Sequence, residues 1–164
     1  MTASWGALQG TGFGAIGVAF CQPPTWRGFA TSQAADADAF FSPDGSGGAL
    51  LFGYPAKALS GLSPEQVMGL IVAGLSAGHG PVSQPFPVGN SRPSYFMNLN
   101  DARKQLWGYT ASGRKIGVMW SATGTSPHGE IYIGLVYGPA SSTRASIEKV
   151  NQQMLNILLS YSQL

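Results

Sequence analysis

Three segments rich in apolar residues, Leu106–Ala111, Lys115–Ala122 and Gly129–Gly138, follow one another with short connections, and this spacing constrains the fold more than any other feature of the chain. The first connection is the short Ser112-Gly113-Arg114 turn and the second the longer TGTSPHG loop, and connections of this length favour antiparallel neighbours. On the last segment Ile131, Ile133, Leu135 and Tyr137 fall on one face, with Tyr132, Val136 and glycines on the other. Period-two patterning with apolar residues on both sides predicts a strand covered on both faces.

Further strands are expected upstream. FGAIGVAF, from Phe13 to Phe20, alternates between small and larger apolar residues and ends at Pro23-Pro24. Trp26–Phe29 and Ala35–Phe41 read as extended, SPDGSGG as a hairpin turn, and Ala49–Tyr54 as the returning strand. Pro81, Pro85, Pro87 and Pro93 argue against a regular central strand, which leaves Ser94–Leu99 as the expected edge strand.

Two helices complete the pattern. Ser63 can cap the first, Pro64 suits its first turn, and Gln66 stands where a capping box needs it. Val67, Leu70, Ile71 and Leu75 then define one face of a helix over 64–77. The second is expected to be capped by Ser141 or Ser142 and to reach about Ser160, with Ile147, Val150, Met154, Ile157, Leu158 and Tyr161 on its apolar stripe. Strands, helix, strands, helix is the order of an α+β domain with a predominantly antiparallel sheet packed between helices. At 164 residues the chain is expected to be one domain, 1–164, with 1–12 as an irregular N-terminal extension.

Only 10% of residues are charged and the formal charge is +2, with Arg103, Lys104, Arg114 and Lys115 as the one local basic concentration. That is too sparse for a nucleic-acid footprint. No run approaches the roughly 18 apolar residues of a transmembrane segment. Trp5–Phe20 is too diluted by glycine for a signal peptide, which leaves cytoplasmic and bacterial envelope locations both open.

The order of FGAIGVAFCQPPTWR, FFSPDGSGGALLFGY, LSPEQVMGLI, LWGYTASGRKIGVMW and GEIYIGLVYGP, closed by a helix ending ILLSYSQ, resembles the superfamily of the photosystem II extrinsic subunit PsbP and Mog1. The likeness runs from Phe13 to Tyr161. It implies a three-layer α/β/α sandwich and an accessory or assembly role without a general catalytic apparatus. No long acidic or basic signature selects the photosynthetic or the Ran-associated branch.

Several chemistries can be weighed on the residues. Gly12, Gly14 and Gly17 in GTGFGAIG match G-x-G-x-x-G, but a dinucleotide site needs a strand before the glycines and a helix opening within them. Here a strand follows and runs into prolines, so no cofactor is expected. Cys21, His79, His128 and the carboxylates are scattered, so no metal is expected either. Asp36 and Asp38 read as a solvated sheet face rather than a glycosidase pair, and Ser146 to Lys149 matches S-x-x-K without its companion motifs.

The leading expectation is therefore a protein-interaction module, with Arg103, Trp107, Tyr109 and Arg114 as candidate contact residues, because aromatics and arginine concentrate interface energy. A hydrolase using Ser126, His128 and Glu130 is the enzymatic alternative. Small-ligand binding between sheet and helix is the third, with the proline-rich segment from Gly80 to Pro93 as a rim.

Overall fold

The computed structural model describes residues 18–19, 27–30, 36–55, 61–77, 82–111 and 116–163. Its elements are β1 (Val18–Ala19), β2 (Arg27–Ala30), β3 (Asp36–Phe41), β4 (Gly48–Pro55), α1 (Pro64–Ala77), β5 (Ser83–Pro93), β6 (Asn100–Thr110), β7 (Ile116–Thr125), β8 (Glu130–Ala140), α2 (Arg144–Leu159) and β9 (Ser162–Gln163). The glycine motif, Cys21, His79 and Arg114 lie outside the described residues.

β6, β7 and β8 are the three expected strands, and they are antiparallel neighbours. The sheet has the order β2-β3-β4-β8-β7-β6-β5, with every neighbouring pair antiparallel, and β1 pairs separately with β9. This is an α+β fold. The hairpin joining β3 to β4 is tied by Asp44, whose Oδ1 accepts hydrogen bonds from the Ser46 N–H, the Ser46 hydroxyl and the Ser42 hydroxyl. Those bonds, the Ser46 hydroxyl foremost, pull the Asp44 carboxyl down to about 2.

β8 carries the alternation read from its sequence into two separate cores. Ile131, Ile133, Leu135 and Tyr137 pack with Val67, Met68 and Val72 of α1. Val136 and the half-buried Tyr132 belong to the cluster of Met154, Ile157 and Leu158 from α2, together with Tyr161. Gly134 and Gly138 let α2 approach: a Cβ at Gly138 would stand 3.3 Å from the Met154 sulfur.

α1 has the bounds the sequence predicts, and its capping box is reciprocal. The Gln66 N–H donates to Ser63 Oγ at 3.1 Å, and the Ser63 N–H donates to Gln66 Oε1 at 2.8 Å. Ser63→Ala should therefore cost about 1 kcal/mol, read as a lower denaturant midpoint at unchanged slope. An unchanged midpoint would mean the cap contributes nothing.

The buried face of α1 keeps Val67 and Ile71 of the expected stripe but has Met68 and Val72 in place of Leu70. Val67, Met68 and Val72 are buried while Leu70 is 59% exposed. Met68 meets the sheet directly, its sulfur accepting a hydrogen bond from the buried Ser121 hydroxyl at 3.1 Å. With Met68 and Val72 turned to the sheet one helical turn apart, Leu70 must point away. α2 begins later than read: Thr143, not Ser141 or Ser142, is the cap, its hydroxyl accepting from the Ser146 N–H.

The proline-rich stretch supplies the larger correction. It is β5 itself that forms the sheet edge, while Phe96–Leu99 closes a turn through the Leu99 N–H to the Phe96 carbonyl, with Met97 and Asn98 at positive φ. A proline costs a strand least at an edge, where a single neighbour must be satisfied, and β5 adds register shifts between Ser83 and Phe86 and between Val88 and Arg92.

Candidate functional site

Beyond α2 the sheet face continues onto β7, β6 and β5 with less cover. On β6, Lys104, Leu106 and Gly108 share this face; Arg103, Gln105, Trp107 and Tyr109 share the other. Leu106 stands between Val88 on β5 and Trp120 on β7, and Lys104 stands between Arg92 and Ala122. Two cross-strand rows result, one apolar and one cationic.

Together with Gly89 and Asn90, these side chains line a groove of about 350 Å³ whose walls are Val88, Leu106 and Trp120 and whose cations are Arg92 and Lys104. Trp120 is fixed from behind by α2: its indole N–H donates to Asn151 Oδ1 at 2.7 Å. Lys104 Nζ lies 5.5 Å from the Trp120 ring centroid, a cation–π distance. Val88 is 45% exposed, and the neighbouring Phe86, whose ring covers Gly108, is 55% exposed.

Electrostatically the groove is unbalanced. The ion pairs among the described residues join Arg103 to Glu65 and Arg144 to Glu148, so neither Arg92 nor Lys104 has a carboxylate partner there. Like charges directly opposite on paired strands oppose folding, and here that repulsion is left standing.

The residues singled out in the sequence lie elsewhere. Arg103 points to the α1 side, its Nε donating to Ser91 Oγ at 2.9 Å and lying 3.1 Å from Glu65 Oε2. It ties β6 to β5 and α1. Trp107 is half-buried and donates its indole N–H to the Ser121 hydroxyl at 2.8 Å. Tyr109 is 2% exposed, edge-on to Tyr137 with ring centroids 6.1 Å apart, so it belongs to the core and presents no surface. Burial, then the nearby Tyr137, pushes its phenol well up. An exposed cleft shared by Trp107 and Tyr109 is thus not formed.

Ser126, His128 and Glu130 sit together on the β7–β8 turn, yet their polar atoms are engaged apart. The Ser126 hydroxyl accepts from the Glu130 N–H at 3.1 Å, and the Glu130 carboxylate accepts from the Tyr132 hydroxyl at 2.7 Å. His128 is exposed at the turn. Among the described residues no hydrogen bond links it to the Ser126 hydroxyl or to the Glu130 carboxylate. Asp36 and Asp38 lie on β3, in register with Gly53 and Leu51 of β4. Among the described residues no three His, Cys, Asp or Glu side chains converge as metal ligands, and no helix is long and apolar enough to cross a membrane.

The groove residues missed by the sequence reading carried one usable signal. Lys104 and Leu106 alternate with Arg103, Gln105 and Trp107, so the choice lay between two faces of one strand, and shifting by one residue exchanges them. Of the segment from Gly80 to Pro93, Val88, Gly89, Asn90 and Arg92 line the groove.

No family model matches the chain, and no curated protein matches it in sequence. Solved structures do. The Ran-binding protein Mog1p of Saccharomyces cerevisiae is similar with a TM-score of 0.60 at 8% identity, covering 94% of each chain. The cyanobacterial PsbP (CyanoP) of Synechocystis sp. PCC 6803 is similar with a TM-score of 0.61 at 11% identity, over 100% of this chain and 96% of that one. LpqN of Mycobacterium tuberculosis, involved in cell envelope biogenesis, has a TM-score of 0.51 at 14% identity, over 87% and 79%. The chain therefore has the PsbP/Mog1-like fold.

Proposed function

We propose that the chain is a non-catalytic accessory module, a single domain over 1–164 that acts by docking onto another protein. The observation that carries this reading is the partly open groove in which Val88, Leu106 and Trp120 adjoin two cations without carboxylate partners among the described residues. Exposed apolar surface next to arginine and tryptophan is the composition of an interface centre. Similarity of fold to a Ran-binding protein and to a protein of envelope biogenesis is consistent with it. We further infer a three-layer α/β/α sandwich, because α1 and α2 draw their cores from alternate residues of β8.

In this reading Arg103 and Trp107 support the docking face from behind by fixing β6. The test is site-specific photo-cross-linking in native cells, with a benzophenone residue at Val88 or, as control, at Gln152 on the exposed side of α2. A discrete adduct, identified by mass spectrometry, should form from Val88 and not from Gln152. No adduct at either position, or equal adducts at both, would refute docking through the groove.

A further inference from the structure

We propose that the groove between β5, β6 and β7 takes an acidic peptide segment of a partner protein, with an apolar side chain seated on Leu106 and Trp120 and carboxylates at Lys104 and Arg92. The proposal rests on the docking reading above and names the partner's chemistry.

The charge argument comes first. Arg92 and Lys104 are direct cross-strand partners, so their Cβ atoms are spaced by roughly 5 Å and one carboxylate can reach both heads. Neither cation has a carboxylate partner among the described residues, so an incoming acid removes a repulsion as well as adding an attraction. Arg92 offers the fork that matches a carboxylate, and Lys104, held over the Trp120 ring, offers a point charge.

Shape selects a peptide over a small molecule. Pockets for small ligands bury about 70–90% of the ligand. This groove of about 350 Å³ is bounded by Val88 at 45% exposure, with Phe86 beside it at 55%, so a small ligand would leave those apolar groups wet. A polypeptide anchored by one or two side chains would cover them. Strand addition is the usual way a peptide joins a sheet edge, but β5 has no N–H at Pro85, Pro87 or Pro93. The peptide must therefore lie across the face rather than extend the sheet.

The experiment uses the full chain and three fluorescein-labelled peptides of one length: one pairing phenylalanine and leucine with aspartates and glutamates, one with those acids as amides, and one with them as lysines. Anisotropy should show saturable binding of the acidic peptide, at least tenfold weaker binding of the amide form, and none of the lysine form. Lys104→Glu and Arg92→Glu should each lower acidic-peptide affinity about tenfold, and Arg144→Glu on α2 should leave it unchanged. In NMR spectra the shifts should centre on the Trp120 indole and the amides of Val88 to Arg92. Equal binding of acidic and amide peptides, an equal loss with Arg144→Glu, or shifts centred elsewhere would overturn the proposal. A Val88 adduct in cells combined with any of those results would sink the acidic chemistry while leaving docking intact; loss of the adduct as well would sink both.

Discussion

Raised from pH 10 to pH 12, the domain is expected to unfold, with the absorbance of newly formed phenolate rising together with the loss of circular dichroism. Three tyrosines cause this. Tyr109, Tyr137 and Tyr161 are all buried, and burial pushes their phenols up, Tyr137 to about 12 and the other two well above the ordinary tyrosine range. In the unfolded chain a tyrosine ionises near 10. Below that pH both states keep the proton, so these residues give stability no pH dependence. Above it the unfolded chain releases protons that the folded core retains, and stability falls as pH rises toward the folded values. Each group contributes about 1.4 kcal/mol per pH unit, so the three together approach roughly 4 kcal/mol per unit, against a total stability of roughly 5–15 kcal/mol for a domain.

Tyr109→Phe isolates one share. Its hydroxyl has no hydrogen-bond partner among the described residues, so the substitution should leave neutral-pH stability unchanged or higher while reducing the alkaline slope by about a third. Tyr161→Phe differs, because that hydroxyl donates to the Leu50 carbonyl at 3.1 Å and its removal should be felt at neutral pH. Phenolate absorbance from all six tyrosines developing near pH 10, ahead of any structural change, would refute the burial argument.

What the sequence made legible depended on whether one local force dominated. The Ser63 and Gln66 box fixes the start of α1 through bonds within four residues, and the alternation along β8 survives because both of its faces meet a helix. The face of α1 was not legible. Leu70 and Met68 are equally apolar to a periodicity count, and what separates them is contact with a sheet distant in the chain, where Met68 meets Ser121, 53 residues away. The edge strand was misplaced at Ser94–Leu99 for a related reason: the prolines of β5 do exclude a central strand, and nothing local says that the stretch is itself the edge. The groove was hidden by Leu106-Trp107, where apolar neighbours on consecutive positions blur which face of β6 is covered. Trp107 points to the α1 side and Leu106 to the groove, so the site consists largely of the residues beside those the composition made conspicuous.

Gly134→Val is expected to destabilise the domain by about 1–3 kcal/mol through overpacking, although valine is the better strand former. A Cβ at Gly134 would stand 2.7 Å from Phe96 Cζ, 3.0 Å from Tyr161 Cε2 and 3.1 Å from Leu158 Cδ1. These neighbours come from the β5–β6 turn and the C-terminal end of α2, and all three are buried. Phe96 is 1% exposed and is followed by the left-handed pair Met97 and Asn98, Tyr161 is hydrogen-bonded to β4, and Leu158 is sealed beneath α2. β propensity spans only about 1 kcal/mol, so the steric cost decides the sign. Tyr161→Ala alone should cost more, about 3–5 kcal/mol, by opening a cavity. Combined with Gly134→Val it should cost less than the sum, since the new methyls enter the space the ring has left. α2 is also the element that holds Trp120 through Asn151, so pushing α2 outward should shift the Trp120 indole signal and weaken acidic-peptide binding even where the variant remains folded. Lost stability with an unmoved Trp120 signal would mean that α2 yields near Leu158 without transmitting the strain to Asn151, and the groove would then be independent of the packing beneath it.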